Sequence, residues 1–261
     1  MVSNTRNWTS YVDTKARAEH ERLALLEEVF DPFTARLLDR LGVRPGWDCL
    51  EVGAGAGSVA RLLAERAGPE HVVATDMAVD LLTPLADAGV RVLRHDVTAD
   101  EAPGEFDLIH ARMVLEHVSE REKAVRRMAS WLRPGGVLVV ESATPVPELA
   151  GHVAVARCLT ALGEILGASV GTDPGWARRL PRPLEDAGLV DCGAEGYAVS
   201  VRGGSPAARW MAATHRLVEE PALARGVVSR ADLTAAYTAY ADPSYVDYAW
   251  MVVGAHGRRP T

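Results

Sequence analysis

The residues with the clearest chemical meaning form a short acidic and glycine-rich stretch near position 50. Glu51 is followed by Gly53, Gly55 and Gly57, and a helical pattern begins near Ser58. Glycine has no β-carbon, so a ligand can approach the backbone closely at these positions. The turn leads into a helix N-terminus, whose free N–H groups face whatever binds there. The stretch therefore predicts a binding turn between a buried strand and a helix.

A second acidic residue, Asp76, ends the next apolar run, His71-Val72-Val73-Ala74-Thr75. A carboxylate about two dozen residues after the first acid can accept hydrogen bonds from both hydroxyls of a ribose. As an alternative, Asp76 would cap the helix that follows. The order of strand, glycine turn, helix, strand and acid predicts the nucleoside-binding first half of a doubly wound α/β fold.

The glycine spacing bears on which nucleoside binds. A dinucleotide site has the pattern G-x-G-x-x-G, because its pyrophosphate needs bare backbone at the start of the helix. Here the pattern is G-x-G-x-G, and Glu51 precedes it. A carboxylate is electrostatically unfavourable beside a pyrophosphate but suits a cationic amino-acid group. This favours a cofactor without phosphate.

With these residues, the sequence resembles the class I S-adenosylmethionine-dependent methyltransferases, in particular the small-molecule enzymes of the ubiquinone-biosynthesis-like and secondary-metabolite tailoring type. The resemblance covers roughly residues 11–200 in motif order. It implies a Rossmann-like, seven-stranded, mostly parallel sheet with helices on both faces, S-adenosylmethionine as cofactor and S-adenosylhomocysteine as product. It rests on Glu51-Val52-Gly53-Ala54-Gly55-Ala56-Gly57, Asp76, His95-Asp96-Val97 and Leu132-Arg133-Pro134-Gly135-Gly136.

The resemblance also implies roles for individual residues. Met77 would pack on the adenine, Asp96 would bind the adenine amino group, and the N–H group of Val97 would bind a ring nitrogen. A tyrosine of the N-terminal segment, Tyr11, is a candidate contact, with a surface or lid-packing aromatic as the alternative. The implied cofactor-binding residues are Tyr11, Glu51, Gly53, Ala54, Gly55, Gly57, Asp76, Met77, Asp96, Val97 and Arg112.

The segment after the fourth predicted strand holds the candidate catalytic residue. In many small-molecule methyltransferases a histidine here takes a proton from the acceptor, and His117 occupies that position. Imidazole suits this role because its pKa lies near neutrality. A polar residue at a helix start or a satisfied core histidine is the alternative for His117. Arg112 either anchors the cofactor or pairs with Glu116, and Asp107 is expected to stabilise the strand and not to take part in catalysis.

Composition limits the partners. The chain has 261 residues, a net charge of −7 and three cysteines without a C-x-x-C motif. The acidic balance, without a basic stripe, does not favour a nucleic-acid backbone as partner, and the cysteines indicate a reducing compartment. With no secretory signal and no run approaching a transmembrane helix, we expect a cytoplasmic protein with a small-molecule substrate. We expect no nucleic-acid or membrane partner and no metal, and the oligomeric state stays open, with a homodimer as one option.

The chain is expected to form a single methyltransferase domain over residues 1–261. Its predicted parts are an N-terminal helical cap (1–42), a cofactor-binding core (43–202), a helical lid insert (203–243) and a last strand (244–256). The insert is expected to build the acceptor pocket. Predicted elements include a new helix opening at Asp31-Pro32, helices over 148–170 and 172–187, strands over 193–201 and 245–253, and a loose tail from 257. Candidate residues for the pocket lining are Trp176, Trp210, Met211 and His215.

Three other functions compete with methyl transfer. A nicotinamide-dependent oxidoreductase would need G-x-G-x-x-G and a catalytic Tyr/Lys pair, and the glycine spacing does not fit. A non-methylating member of the same fold, such as a cyclase or dehydratase, would keep the cofactor residues, and the sequence leaves it open. A nucleic-acid methyltransferase would carry an Asn/Asp-Pro-Pro-Tyr-like tetrapeptide where this chain reads His110-Ala111-Arg112-Met113.

Overall fold

The computed structural model describes residues 16–261, and side chains from residue 18 onward. In this part the chain forms two compact units, each assembled from segments that are distant in sequence. The unit that we call the sheet unit consists of Phe30–Ser142, Gly175–Tyr197 and Val253–Thr261. The helical unit consists of the described part up to Val29, Ala143–Pro174 and Ala198–Val252.

The nine strands in the described part of the chain form two sheets. They are β1 (Cys49–Val52), β2 (Val72–Asp76), β3 (Arg91–Arg94), β4 (Phe106–Arg112), β5 (Leu132–Pro145), β6 (Val190–Ala198), β7 (Val201–Arg202), β8 (Val246–Asp247) and β9 (Trp250–Arg258). Seven of them form one sheet in the order β3-β2-β1-β4-β5-β9-β6, and β7 pairs antiparallel with β8. In this spatial order, each pair of neighbours in the series β3-β2-β1-β4-β5 is parallel. The predicted seven-stranded, mostly parallel sheet is confirmed.

Helices connect these strands. They are α1 (Ala16–Leu41), α2 (Ser58–Ala67), α3 (Thr83–Asp87), α4 (Arg121–Trp131), α5 (Val153–Val170), α6 (Arg182–Asp186), α7 (Pro206–Ala224) and α8 (Arg230–Ala241). Single 3-10 turns lie at Pro69–His71, Asp80–Leu82, Leu115–His117, Pro147–Leu149 and Trp176–Arg179.

The core of the sheet unit follows from the apolar pattern. All four residues of β1 are buried, as expected for a central strand covered on both faces. Helix α2 places Val59 and Leu63 against this strand in one cluster with Leu37 and Leu38 from α1. Burial of each such side chain contributes about 1.5–3 kcal/mol. This packing fixes the start of α2 relative to the end of β1, and the glycine turn lies between them.

Helix α1 differs from the prediction of a new helix at Asp31-Pro32. The chain is helical without a break over 26 residues, and Pro32 lies inside the helix. Proline removes one backbone hydrogen bond and crowds the preceding turn. The apolar residues Phe30 and Phe33 flank it and are buried, at 0 and 5% exposure, so packing offsets the local cost.

Several predicted boundaries are also wrong. The expected helix over 172–187 is a 3-10 turn followed by the short α6, with a cis Leu180–Pro181 bond between them. The sixth strand spans Val190–Ala198 and the last spans Trp250–Arg258. The tail is not loose, because the backbones of Arg259 and Gly135–Gly136 exchange hydrogen bonds of 2.9 and 2.8 Å.

The helical unit is formed around α5, which packs against α7 and α8. Serines cap both of the later helices: Ser205 accepts from the N–H of Ala208, and Ser229 forms a reciprocal capping box with Asp232. Arg157 of α5 pairs with Asp232 at 2.8 Å. The helices predicted for the insert are confirmed as elements.

Helix α5 corrects the expectation that no run approaches the length of a transmembrane helix. Its 18 residues have a mean hydropathy of 1.5, so by length and composition alone it is long enough to cross a membrane. Eight of its residues are buried within the protein. A core helix of a globular domain has this same composition, because it is covered on several sides.

Candidate functional site

The strand order defines where a ligand is expected. From β1 the chain continues to β2 and β3 on one side, then returns to β4 and β5 on the other. The order therefore reverses between β1 and β4. In open α/β sheets, ligands bind outside the carboxyl ends of the strands at such a switch point. The glycine turn follows β1 at this point.

The backbone of the turn requires glycine. Gly53, Gly55 and Gly57 have φ values of 71, 58 and 89°, in the region that side chains disfavour. A Cβ added at Gly53 would lie 2.2 Å from Cγ2 of Val114, and one at Gly57 would lie 2.4 Å from Cδ1 of Leu85. The glycines therefore allow close packing of neighbouring segments on the turn as well as its conformation.

The backbone N–H groups of the turn are largely used within the protein. Gly53 and Ala54 both donate to the carbonyl oxygen of Thr75, at 2.8 and 2.9 Å, and Gly57 donates to that of Ala54 at 2.8 Å. Gly55 donates to the carboxylate at the end of β2 at 2.9 Å. A turn that cradles phosphate points such N–H groups at the ligand. In this turn, these four N–H groups are already used in internal hydrogen bonds and are not available to a ligand.

Asp76 is half-buried at the end of β2, where the sequence predicted it. Its Oδ2 accepts from Gly55 and its Oδ1 accepts from the N–H of Ala78 at 3.0 Å. An ionised carboxylate has about four acceptor sites, so each oxygen keeps capacity for a hydroxyl donor. Asp76 is the last residue of β2, and Met77, which follows it, is 37% exposed. Both residues therefore stand at the carboxyl edge of the sheet.

Asp96 and Val97 follow β3 at the same edge. Oδ1 of Asp96 accepts from the backbone N–H of Thr98 at 2.8 Å and from its hydroxyl at 2.6 Å. Val97 is buried, and its carbonyl accepts from Nε of Arg127 at 2.9 Å. These bonds fix the loop after β3. An adenine contact for Asp96 and Val97 stays a prediction.

Glu51 lies in the protein interior, paired with a residue that sequence reasoning did not single out. Its carboxylate is 2% exposed and receives a 2.7 Å hydrogen bond from Nδ1 of His110 on β4. On the opposite side of the ring, Nε2 of His110 lies 3.2 Å from Oε1 of Glu141 on β5. The structure thus places Glu51 against His110, and its direct contact with a cofactor stays a prediction.

The two carboxylates determine the charge of this histidine. Burial opposes a charged ring, but Glu51 and Glu141 outweigh it and raise the pKa of His110 to about 9. Burial also raises the pKa of the Glu51 carboxyl, against the opposing effect of His110. Both pKa shifts favour the protonated form, of the imidazole in His110 and of the carboxyl group in Glu51. Because a carboxylate faces each ring nitrogen, both nitrogens can donate at once only in the imidazolium form.

The cluster continues to α1 and to the start of α2. The Thr34 hydroxyl donates to Oε2 of Glu141 at 2.8 Å and accepts from Arg112 at 2.9 Å. The Arg112 guanidinium also contacts Asp31 at 2.8 Å and the Ser58 hydroxyl at 3.0 Å. The observed partners of Arg112 thus lie on α1 and α2, in place of the predicted pairing with Glu116. A cofactor contact for Arg112 stays a prediction.

The segment after β4 leaves the sheet with unusual backbone geometry. Met113 has φ 54° although it is not glycine, and its N–H donates to the carbonyl of Glu141 at 2.7 Å. Val114 packs on the glycine turn, as described above. His117 ends the 3-10 turn and is half-buried. Such backbone strain clusters at functional sites, and a role for His117 at the acceptor stays a prediction.

Some of the predicted site residues belong to the helical unit or lie outside the described residues. Tyr11 lies outside the described residues. Trp210, Met211 and His215 belong to the helical unit, whereas Trp176 belongs to the sheet unit, where its ring contacts the guanidinium of Arg179. In residues 16–261, no group of three or more His, Cys, Asp or Glu side chains is arranged to hold a metal ion.

The prediction that Asp107 stabilises the start of its strand is confirmed. Its carboxylate accepts from the N–H of Asp48 at 2.9 Å and from Arg133 at 2.8 Å. These contacts lie at the amino ends of β1 and β4, opposite to the glycine turn. Asp107 therefore stabilises the sheet, away from the candidate site.

Sequence reasoning missed His110, Glu141, Thr34 and Asp31. A usable signal existed, since Glu51, His110 and Glu141 each lie within or beside the apolar stretch of one of three strands that are neighbours in the sheet. Charged side chains are almost never fully buried without a partner. The register confirms the pairing, because Glu51 lies opposite His110 between β1 and β4.

Comparison with known proteins agrees with this fold. Nocamycin O-methyltransferase of Saccharothrix syringae is 34% identical over 134 residues, which cover 47% of this chain and 47% of that protein. The ubiquinone/menaquinone biosynthesis C-methyltransferase UbiE of Bordetella parapertussis is 32% identical over 123 residues, covering 44% of this chain and 46% of its own length. The chain therefore spans about half the length of the curated relatives it matches.

A solved structure extends the likeness to the whole chain at the level of the fold. It is phosphoethanolamine N-methyltransferase 2 of Haemonchus contortus, in complex with phosphomonomethylethanolamine and S-adenosylhomocysteine. The TM-score is 0.61 at 16% identity, covering 100% of this chain and 61% of that one. Identity at this level shows the fold alone.

A family of methyltransferase domains matches residues 17–160, which is more than half of the chain. The matched range contains the glycine turn, the acids at the ends of β2 and β3, and the buried His110 cluster. The resemblance predicted from the sequence is thus confirmed, and the protein belongs to the methyltransferase domain family.

Proposed function

We propose that the protein transfers a methyl group from S-adenosylmethionine to an oxygen or nitrogen atom of a small-molecule acceptor. One observation carries the choice of cofactor: the glycine turn at the switch point spends four of its N–H groups on internal hydrogen bonds. A ligand that binds here must approach the glycine backbone closely, and it cannot rely on these N–H groups to bind a phosphate. S-adenosylmethionine has this character, because it carries an ammonium and a sulfonium and no phosphate.

The oxidoreductase alternative is disfavoured on the same grounds. A dinucleotide needs the N–H groups at the turn and the start of the helix for its pyrophosphate. The carboxylate of Asp76 binds Gly55 at 2.9 Å, and so a negative charge stands at the turn itself. The N–H group of Gly55 is therefore not available to a pyrophosphate.

Different residues at the carboxyl edge of the sheet would bind different parts of the cofactor. Asp76 would accept hydrogen bonds from the ribose hydroxyls with the acceptor sites that Gly55 and Ala78 leave open. Met77 would cover one face of the adenine, and Asp96 with Val97 would bind its edge. When bound, the cofactor supplies an activated methyl group for an in-line displacement. The chain's own part in catalysis is to orient both reactants and to exclude water.

His117 is proposed as the general base for a hydroxyl acceptor. The methylated oxygen must lose its proton, and a half-buried imidazole is suited to accept it near neutral pH. A nitrogen acceptor with a free lone pair needs no base, so His117 would then orient the acceptor. Curated relatives whose names specify oxygen and carbon methylation support a small-molecule acceptor class but do not select among atoms.

Titration calorimetry with S-adenosylmethionine, S-adenosylhomocysteine and NAD tests the cofactor. We expect micromolar binding of the first two and none of NAD, and binding of NAD alone would refute the proposal. Incubation with candidate acceptors, followed by mass spectrometry, tests the transfer. A product heavier by one methylene unit supports methyl transfer. Tight cofactor binding with an isomerised or dehydrated product of no added methylene would identify a non-methylating member of the fold.

A further inference from the structure

The buried cluster around His110 is connected to the backbone of the glycine turn. The Thr75 hydroxyl donates to the carbonyl of Glu51 at 2.9 Å, and the carbonyl of Thr75 accepts both Gly53 and Ala54. The side chain of Glu51 is held by His110. Three hydrogen bonds that involve Thr75 therefore connect Glu51 to the turn.

The cluster is equally connected to the segment after β4. The carbonyl of Glu141 accepts the N–H of Met113 at 2.7 Å, while its side chain is held by His110 and Thr34. Met113 begins the strained exit that leads to His117. Hydrogen bonds thus connect the two glutamates to two backbone segments at the switch point, namely the glycine turn and the segment after β4. His110 lies between the two glutamates.

Charge explains why a histidine serves here. Three acidic side chains lie in the cluster: Arg112 pairs with Asp31, and His110 lies between Glu51 and Glu141. Without a charge on His110, a carboxylate would face an unprotonated ring nitrogen at hydrogen-bond distance. Charge-assisted hydrogen bonds are shorter and stronger than neutral ones, so the imidazolium holds both glutamates in fixed positions.

We propose that His110 is a positioning residue: as an imidazolium between Glu51 and Glu141, it holds the glycine turn and the segment after β4 in the arrangement that binds the cofactor. This inference rests on the proposed function, since the ligand is the cofactor proposed above. His110 itself touches no substrate in this scheme. It acts through the two glutamates and through the backbone bonds at Thr75 and Met113.

The protonation state can be measured without any ligand. In protein labelled with ¹⁵N-histidine, both ring nitrogens of His110 should give signals of protonated nitrogen at pH 7. Deprotonation should occur only as the pH rises through about 9. The His110→Asn variant assigns the signals by their disappearance. A neutral ring at pH 7 would overturn the proposal whatever the protein binds.

Cofactor affinity tests the positioning role. His110→Asn should weaken binding of S-adenosylhomocysteine by about tenfold or more, because a charge-assisted hydrogen bond is lost on each side. The matched control is His71→Asn, which removes a histidine paired with Asp48 at 2.8 Å near the amino ends of β1 and β2. The control should keep its affinity within about twofold. A folded His110→Asn variant with wild-type affinity would make His110 merely structural.

If the His110→Asn variant does not fold, the Glu141→Gln variant tests the positioning role of His110. Glutamine keeps an acceptor for Nε2 of His110 but removes a carboxylate that raises its pKa. The pH above which S-adenosylhomocysteine affinity falls should therefore move down by about one unit or more. The ligand's own amino group titrates equally in both proteins and cancels in the comparison. An unshifted profile would overturn the proposal, whereas absence of binding to wild-type protein would refute the proposed function itself.

Discussion

The close approach at Gly53 gives a prediction whose magnitude follows from the geometry. Gly53→Ala places a side chain at φ +71°, which costs about 1–2 kcal/mol. The new Cβ would lie 2.2 Å from Cγ2 of Val114, whereas carbon atoms in contact are about 3.5–4.0 Å apart. Relief of this overlap adds about 1–3 kcal/mol. The free energy of unfolding should therefore fall by about 2–5 kcal/mol.

Two further variants separate the backbone cost from the steric cost. Gly46 has φ +83°, and a Cβ added there would have nothing within 4 Å, so Gly46→Ala should show the backbone cost alone, about 1–2 kcal/mol. Val114→Ala removes the colliding methyl groups. The double variant Gly53→Ala/Val114→Ala should lose about 1–3 kcal/mol less than the sum of the two single variants.

Urea unfolding followed by circular dichroism measures these differences, with an unchanged slope showing that the denatured state is the same. Calorimetry with S-adenosylhomocysteine should show weaker binding by Gly53→Ala, because Val114 and the turn must move apart. If Gly53→Ala costs no more than Gly46→Ala, or if the double variant is additive, the steric reasoning is refuted.

Three other outcomes are expected. Asp76→Asn should weaken cofactor binding at least about tenfold, while the exposed neighbour Asp80→Asn should not, and equal calorimetric affinities would contradict the ribose assignment. Burial lowers the pKa of His215 to about 4, so the unfolded state takes up the proton first and stability should fall by about 3 kcal/mol as the pH drops from about 6.5 to about 4. His215→Phe should remove that part of the pH dependence in urea titrations, and an identical dependence would exclude His215 as its source. Cys192 should be alkylated first by iodoacetamide, because the other two cysteines are buried; peptide mass mapping that finds them equally modified would contradict this.

The parallel core was predictable from the sequence because its signals are local. Apolar runs of four to seven residues mark the strands, and the closely spaced glycines after the first strand indicate a turn. The acids that follow β2 and β3 sit where their strands end, so their common edge follows from parallel pairing. The contacts of Asp107 were also foreseeable, since its position marks the start of a central strand.

The His110 cluster was not predicted because its partners come from four separate parts of the chain. Thr34 and Asp31 lie on a helix that was expected to begin at Asp31, and no periodic pattern relates them to β4. Only the neighbour relations of the strands place Glu51 and Glu141 on either side of His110. A prediction of these contacts needs the sheet order and not the residue pattern alone.

The error in the predicted bounds of the last strand has a different cause. Gly254 and Gly257 lie inside β9, but glycine in a sequence commonly indicates a turn. A Cβ at Gly254 would lie 3.0 Å from Cδ2 of Leu37, and one at Gly257 would lie 2.7 Å from Sγ of Cys192. These glycines serve close packing within the sheet. The same residue type thus marks a binding turn at β1 and a tightly packed strand at β9.

The entry and exit of the helical insert have a consequence for how such proteins diversify. The N–H of Val199 donates to the carbonyl of Trp250 at 3.0 Å, and β7 and β8 pair Val201 with Asp247 just beyond. The two ends of the intervening chain are therefore already joined to each other where it leaves and rejoins the strands. Recombination can exchange a segment anchored in this way with little loss of chain entropy. The chain between Val201 and Val246 can thus be replaced while the pairing of its two ends is kept.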